Sequence, residues 1–413
     1  MTAQVVARDR SAFDARLYIW LALAAGLAAL GCEIVYLAYC PFPFDPVDYL
    51  IGRDFVNTWM GARIALTGDP SPWFDFATYN VALRQIFGAE YPLHIWSYPP
   101  HLLLFTWPLG LLPYIPAYVL WVMLGLAAYV FVAADGERRL DHLALLALAP
   151  AVFVNIGFGQ TGFVLASLMI AGLLNLDRRP ILAGIMFGLL TVKPHFGILL
   201  PLMLVLTGRW RVIAAAAATG VALLVVTSLV FGLHVWSAYL DVAMPVQVRS
   251  MSMIGFFLHA ATTTFMNMRL AGFSVEVASA MQAAFSIVAV ATVVWTFLRR
   301  RDPALSMALL VTATFVALPY AYNYDMVVFG WVIALLLGRD DNEAFDYALM
   351  LAVLTLPVTA MLLGFFAGLP LSSFVLIIFL ARLVRRLRQS GETRNPLESA
   401  GLVPAAPGAI SAA

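Results

Sequence analysis

Thirteen apolar runs, most of them joined by only a few polar residues, limit what this chain can fold into. They fall at about 17–40, 98–112, 114–133, 143–156, 162–175, 181–192, 195–206, 212–232, 275–298, 304–319, 325–338, 346–366 and 370–384. Runs of this length and number belong in lipid, where a helix satisfies its own backbone groups without water. With 62% hydrophobic residues, 11% charged residues and a mean hydropathy of +0.89, the chain reads as an all-α, polytopic membrane protein. A net charge of +1 implies no basic surface for nucleic acid.

Basic residues sort the connecting segments into two sides. Eighteen of the 24 Lys and Arg lie in 1–16, 135–142, 176–180, 207–212, 299–301, 339–345 and 382–394. The other six, Arg53, Arg63, Arg84, Lys193, Arg249 and Arg269, lie opposite. The bias toward positive charge inside then places both termini in the cytoplasm and demands an even number of crossings. The run least able to span is 98–112, which is short, interrupted by Pro108 and Gly110 and bounded by Pro113 and Pro116. The expectation is one bundle over residues 1–388 with about twelve transmembrane helices, opened by an uncleaved signal anchor, and a disordered cytoplasmic tail at 389–413. Cys32 and Cys40, ~12 Å apart along one helix, are too distant to bridge each other and are expected to be free.

Several runs are shorter than the ~20 residues that a perpendicular crossing needs. The pairs 143–156 with 162–175 and 181–192 with 195–206 leave and re-enter the same side within a short stretch. Their turns, Gly157 to Gly162 and Thr191 to His195, should therefore sit below the outer surface, where irregular backbone survives only beside a polar cavity or inside protein.

Two outward segments are large enough to build a site above the lipid: 41–101 and 233–273, the second containing Trp236, Tyr239, Arg249, His259 and Arg269. In the first, Phe55, Trp59, Ala62 and Leu66 fall on one helical face, and Asp54, Asn57, Thr58 and Gly61 on another. That pattern predicts an amphipathic helix lying on the membrane surface with a narrow polar face carrying one carboxylate. Asp54 also suits the start of a helix, where a carboxylate caps free backbone amides. Lys193, the only lysine in the chain, stands beside Pro194 and His195 in a turn at bilayer depth. A buried cation there suits a phosphate, with His195 as a second donor; the structural alternative is snorkelling to the interface. Gln160, in a glycine-flanked turn, suits either a sugar hydroxyl or exposed backbone. The turn from Pro319 to Asp325 offers Tyr322 for stacking and Asp325 as an acid, against interfacial placement and helix capping.

Acids, the lone lysine, glutamine and aromatics thus gather at outer helix ends. No P-loop or dinucleotide fingerprint follows a strand, so an outward site must draw its activated group from the membrane. At this point Gly52-Arg53-Asp54-Phe55 with Trp59 and Ala62-Arg63, Tyr98-Pro99-Pro100, Pro108-Leu109, Leu112-Pro113, Trp121, Gly159-Gln160 and Gly184 to Lys193-Pro194 resemble, in order, glycosyltransferase family 87, of the GT-C membrane class. The likeness covers roughly Leu17 to Trp210. It implies a GT-C-like bundle in a bacterial inner membrane. It also implies inverting transfer of a hexose, by family default mannose, from a polyprenyl-phosphate sugar to a lipid-linked or glycan acceptor at a periplasmic site. Asp54 matches the family's first-loop aspartate and is expected to take the acceptor proton. Lys193, with His195 or a loop arginine, Arg53 or Arg63, is expected to hold the phosphate, while Trp59, Tyr98 and Gln160 frame the sugar. No cofactor or metal is expected, and there is no Asp-x-Asp in the first loop, where Asp45 and Asp48 are the nearest acids. Relatives often carry histidine where this chain reads Tyr322-Asn323-Tyr324. The competing reading is a transporter or flippase, which short broken helices also suit; a non-catalytic membrane scaffold is third.

Overall fold

The computed structural model of the protein describes residues 3–39, 41–45, 48–252, 256–299 and 302–392. Cys40 and most of the expected tail, 393–413, lie outside the described residues; Cys32 is free and exposed. The described chain is helical throughout, with strand-like pairing only at the isolated bridges Phe44 to Leu50 and Ala261 to Tyr322.

Five helices are long and apolar enough to cross a membrane: Leu17–Tyr36, Tyr114–Ala134, Trp210–Phe231, Val275–Leu298 and Ala344–Ala367. Leu140–Leu148 and Pro150–Phe158, bent by 42° at Ala149, form a sixth if taken together. Between them stand five shorter apolar helices, Gly162–Leu174, Pro180–Val192, Pro194–Leu206, Pro303–Ala317 and Asn323–Leu337. Twelve full-length crossings are therefore not seen among the described residues. The core is built from helices too short to span, and the long helices sit around it: Trp210–Phe231 buries only 11% of its most apolar window, while Pro303–Ala317 is buried almost end to end. An apolar helix with so little protein contact is stable only in a solvent as apolar as itself, which makes this a membrane protein.

The run at 98–112 is not a span. It folds as three short helical pieces, Pro100–Leu102, Leu103–Thr106 and Trp107–Leu111, because Pro108 removes a donor and Gly110 opens the backbone. Gly110 lies against the backbone of Ala62, where a Cβ would come within 2.6 Å of the Ala62 carbonyl carbon.

This contact changes the expected surface helix. The helix forms as Phe55–Ala65, but ten of its residues are buried, Asn57, Thr58 and Gly61 among them. Its small face of Gly61 and Ala62 is what admits Trp96 and the 107–111 segment, so protein covers the side that periodicity assigned to open space. The amphipathic helix of this loop is instead Phe76–Phe87. It starts at Asp75, whose carboxylate accepts from Thr78 N at 2.8 Å, buries Tyr79, Asn80, Ala82 and Leu83, and leaves Val81 and Ile86 exposed.

At the other end of the bundle, the last helix, Ser372–Glu392, is tied down by Arg382 to Asp346 (2.7 Å) and Glu343 (2.9 Å) and by Arg386 to Asp341 (2.7 Å). It continues to Glu392, four residues into the stretch expected to be disordered.

Candidate active site

The site starts from two glycines. Gly52 has φ +83 and Gly159 has φ +60, left-handed values that an L side chain adopts with strain. A Cβ on Gly159 would meet Phe55 Cβ at 2.5 Å and the Gly52 carbonyl oxygen at 2.7 Å, so the turn at 157–162 presses directly on the start of the Phe55–Ala65 helix. Trp121 Nε1 secures the turn by donating to the Gly159 carbonyl at 3.1 Å. Between the glycines, Arg53 holds φ +31; its guanidinium pairs with Asp45 at 2.8 Å and donates to Tyr36 Oη at 2.8 Å. Asp45 is thus committed to an arginine. Among the described residues no three His, Cys, Asp or Glu side chains group as metal ligands would.

The result is a contact between residues 106 positions apart. Gln160 Nε2 donates to Asp54 Oδ2 at 2.8 Å, and Tyr98 Oη donates to Gln160 Oε1 at 2.7 Å. Asp54 precedes the helix but makes no side-chain cap hydrogen bond, so its carboxylate is turned away from the backbone amides. Burial pushes the Asp54 carboxyl above its ordinary value; the Gln160 hydrogen bond and the charges of Arg53 and Lys193 oppose this, and the charge of Asp325 adds to it.

These side chains line a cavity of about 540 Å³. Its lining draws Asp54, Asn57, Tyr98 and Gln160 from the first loop and the 157–162 turn, Lys193, His195, Tyr320, Tyr322 and Tyr324 from the turns at 191–195 and 319–325, and Tyr239, Met244, Gln247 and Val248 from the second loop. Asp54 and Lys193 are the charged side chains of the lining.

Lys193 does not snorkel. It is 8% exposed, lies 5.2 Å from the ring centres of both Phe196 and Tyr324, and its Nζ meets Asp325 Oδ1 at 2.6 Å. The other oxygen of Asp325 accepts the backbone N–H of Tyr322 at 3.1 Å, so this acid both caps its turn and neutralises the lysine. His195 packs edge-on against Tyr320 at 5.7 Å, and its Nε2 has no partner among the described residues.

Six of the residues singled out in the sequence therefore meet at one cavity: Asp54, Tyr98, Gln160, Lys193, His195 and Tyr322. Four do not line it. Arg53 is held behind Asp54 as described, and Asp325 stands behind Lys193. Trp59 donates to the Leu112 carbonyl at 3.0 Å and packs on Phe87 and Tyr114; exposed Arg63 stacks on its ring at 5.0 Å.

The sequence reading missed His94 and gave Asn57 only a place on the polar face of the Asp54 helix. His94 is placed by a two-point clamp, with Asn80 Nδ2 donating to its carbonyl (2.9 Å) and its N–H donating to Asn80 Oδ1 (2.8 Å). Burial holds the His94 imidazole down to about 4, so it is neutral at neutral pH. Asn57 accepts from Tyr79 Oη at 2.6 Å. Such pairings have no period in sequence; the one signal was the Asn, His and Tyr content of a segment between membrane runs.

Comparison with known families matches residues 96–319 to glycosyltransferase family 87, more than half of the 413-residue chain. No curated protein and no solved structure matches. The matched region reaches further toward the C-terminus than the resemblance read from the motifs. It contains Tyr98, Gln160, Lys193 and His195, begins after Asp54 and ends before Tyr322 and Asp325. On this match, the chain belongs to glycosyltransferase family 87.

Proposed function

We propose that this glycosyltransferase moves a hexose, mannose by family default, from a polyprenyl-phosphate donor to a hydroxyl of a lipid-linked or glycan acceptor, with inversion, at the periplasmic face of a bacterial inner membrane. The observation that carries the proposal is the Asp54 carboxylate, held at 2.8 Å by the Gln160 amide in a cavity that Lys193 also lines. Inversion at an anomeric carbon needs one base on the acceptor side and charge stabilisation on the leaving side, and Asp54 and Lys193, both in the lining, would supply these. The acceptor oxygen attacks the anomeric carbon, its proton passes to Asp54, and the bond from that carbon to the phosphate oxygen breaks with its electron pair on the phosphate. Lys193, with His195 beside it, faces the phosphate as a charged donor. A carboxyl raised above its ordinary range is a stronger proton acceptor once ionised, which suits this role.

The size and lining of the cavity support a lipid-borne donor. About 540 Å³ holds one sugar phosphate, and Leu93, Val192, Met244, Val248, Leu258 and Met266 supply apolar wall for the start of an isoprenoid. The donor carries its own activated sugar, so the reading invokes no separate cofactor. The test is transfer by purified protein in liposomes, given radiolabelled polyprenyl-phosphate mannose or a labelled nucleotide sugar with the extracted lipid and glycan acceptors of the source membrane. Label should move from the polyprenyl donor alone, and not in Asp54→Asn. Transfer from the nucleotide sugar, or undiminished transfer in Asp54→Asn, would overturn the reading.

A further inference from the structure

Asp54 is hydrogen-bonded on one oxygen only. Oδ2 accepts from Gln160 Nε2, while Oδ1 accepts no hydrogen bond from the described residues and is not sealed from the cavity. The amide that makes this distinction is itself oriented. A glutamine side chain has a donor end and an acceptor end of nearly the same shape, and only its partners decide which way it faces. Here Tyr98 Oη donates to Oε1 at 2.7 Å, and the Thr161 backbone N–H leans on the same oxygen at 3.4 Å. Both partners are donors when Oε1 faces them, so the NH₂ group is turned toward Asp54. The flipped amide would set Oε1 against an ionised carboxylate oxygen, two acceptors in contact. Tyr98 and Gln160 are 4% and 8% exposed, and the backbone beneath Gln160 is locked by Gly159 against Gly52, so water competes little for these bonds and the chain beneath them has little room to shift.

We propose that Gln160 is a positioning residue for the base rather than a sugar contact: oriented by Tyr98, it occupies Asp54 Oδ2 and leaves Oδ1 as the oxygen that receives the acceptor proton. The inference rests on the reading of Asp54 as the base. It adds a three-membered relay, Tyr98 to Gln160 to Asp54, in which the tyrosine governs turnover through the amide that it orients. It also separates two pools of residues around one cavity: those that hold the donor, at Lys193 and the tyrosines of 320–324, and those that tune the base.

The variants Gln160→Met and Tyr98→Phe keep size while removing, respectively, the donor to Asp54 and the donor that orients the amide. In the liposome assay each should lower kcat while leaving the donor KM within about twofold. The fall should be about ten- to a hundredfold for Gln160→Met, the scale of a hydrogen bond to a charged group, and smaller for Tyr98→Phe. In both, the acidic limb of the kcat profile should move to higher pH, because the ionised carboxylate has lost its support. A raised donor KM with an unmoved pH profile would mean that Gln160 contacts the sugar, and would overturn the inference. So would a Tyr98→Phe enzyme indistinguishable from the parent. Failure of the Asp54 reading is recognised separately: in that case Asp54→Asn itself retains transfer. Should Gln160→Met fail to fold, Tyr98→Phe, which loses one oxygen and no volume of consequence, still decides the matter.

Discussion

Two aspartates stand at the same cavity, half-buried Asp54 in its lining and buried Asp325 behind Lys193, and they are held differently. Asp325 is satisfied on both oxygens, one by the Lys193 ammonium at 2.6 Å and one by a backbone N–H at 3.1 Å. Asp54 is satisfied on one, by a neutral amide at 2.8 Å. The first arrangement neutralises a charge and staples the turn at 191–195 to the turn at 319–325. The second leaves a carboxylate whose burial outweighs the support of Gln160, Arg53 and Lys193, which is a poor way to stabilise a fold and a good way to keep a proton acceptor ready. Chemistry and architecture are thus divided between two residues of the same type a short distance apart.

The largest effect expected from breaking that division is on stability. Asp325→Asn leaves the Lys193 charge buried without its partner, and should cost about 3–5 kcal/mol, read as a lowered Tm in detergent. A Tm near that of the parent would mean that water already shares the lysine. Next in size is Gly159→Ala, which forces a methyl group onto Phe55 and the Gly52 carbonyl at a left-handed φ. It should cost about 1–3 kcal/mol and, by moving Gln160 away from Asp54, reduce turnover beyond what the loss of folded protein explains. The smallest effect belongs to the rim. Asp69, held down to about 2 chiefly by the Ser71 hydroxyl and amide, meets His234 of the second loop at 3.0 Å in an exposed pair. A depressed carboxyl contributes stability above its unfolded value and loses it as pH falls through the folded one. Here the gain is under about 1 kcal/mol after solvent screening, so Asp69→Asn should leave both Tm and transfer close to the parent.

How much of this was legible in the chain follows the same division. Run lengths marked the turns around Gln160 and Lys193 as places for a polar cavity, and both residues line one. Asp54 stood out because one carboxylate followed a glycine at the start of an aromatic segment. What no periodicity could show is which run becomes a crossing: Gly162–Leu174 and Pro303–Ala317 are as apolar as any span, and their shortness and, for Pro303–Ala317, burial almost end to end set them apart. The burial of Phe55–Ala65 was hidden for a related reason. Gly61 reads as part of a polar face, yet a missing side chain also receives a neighbour, and here Trp96 fills the place. The partner of Lys193 was in plain view as Asp325, but a separation of 132 residues carries no sequence signal.

The central claim is that the charge on Asp54 is kept for chemistry at a cost to the fold, and its sign can be measured. A buried carboxyl raised above its unfolded value favours the folded state while protonated, and that contribution is lost as pH rises through the folded value, so at neutral pH the ionised group is a burden. The decisive measurement is Tm and turnover of Asp54→Asn at neutral pH, beside the parent protein. The account predicts that transfer falls by about 10²- to 10⁴-fold while Tm is unchanged or higher. A variant that keeps its transfer, or that loses Tm as Asp325→Asn is expected to, would contradict it.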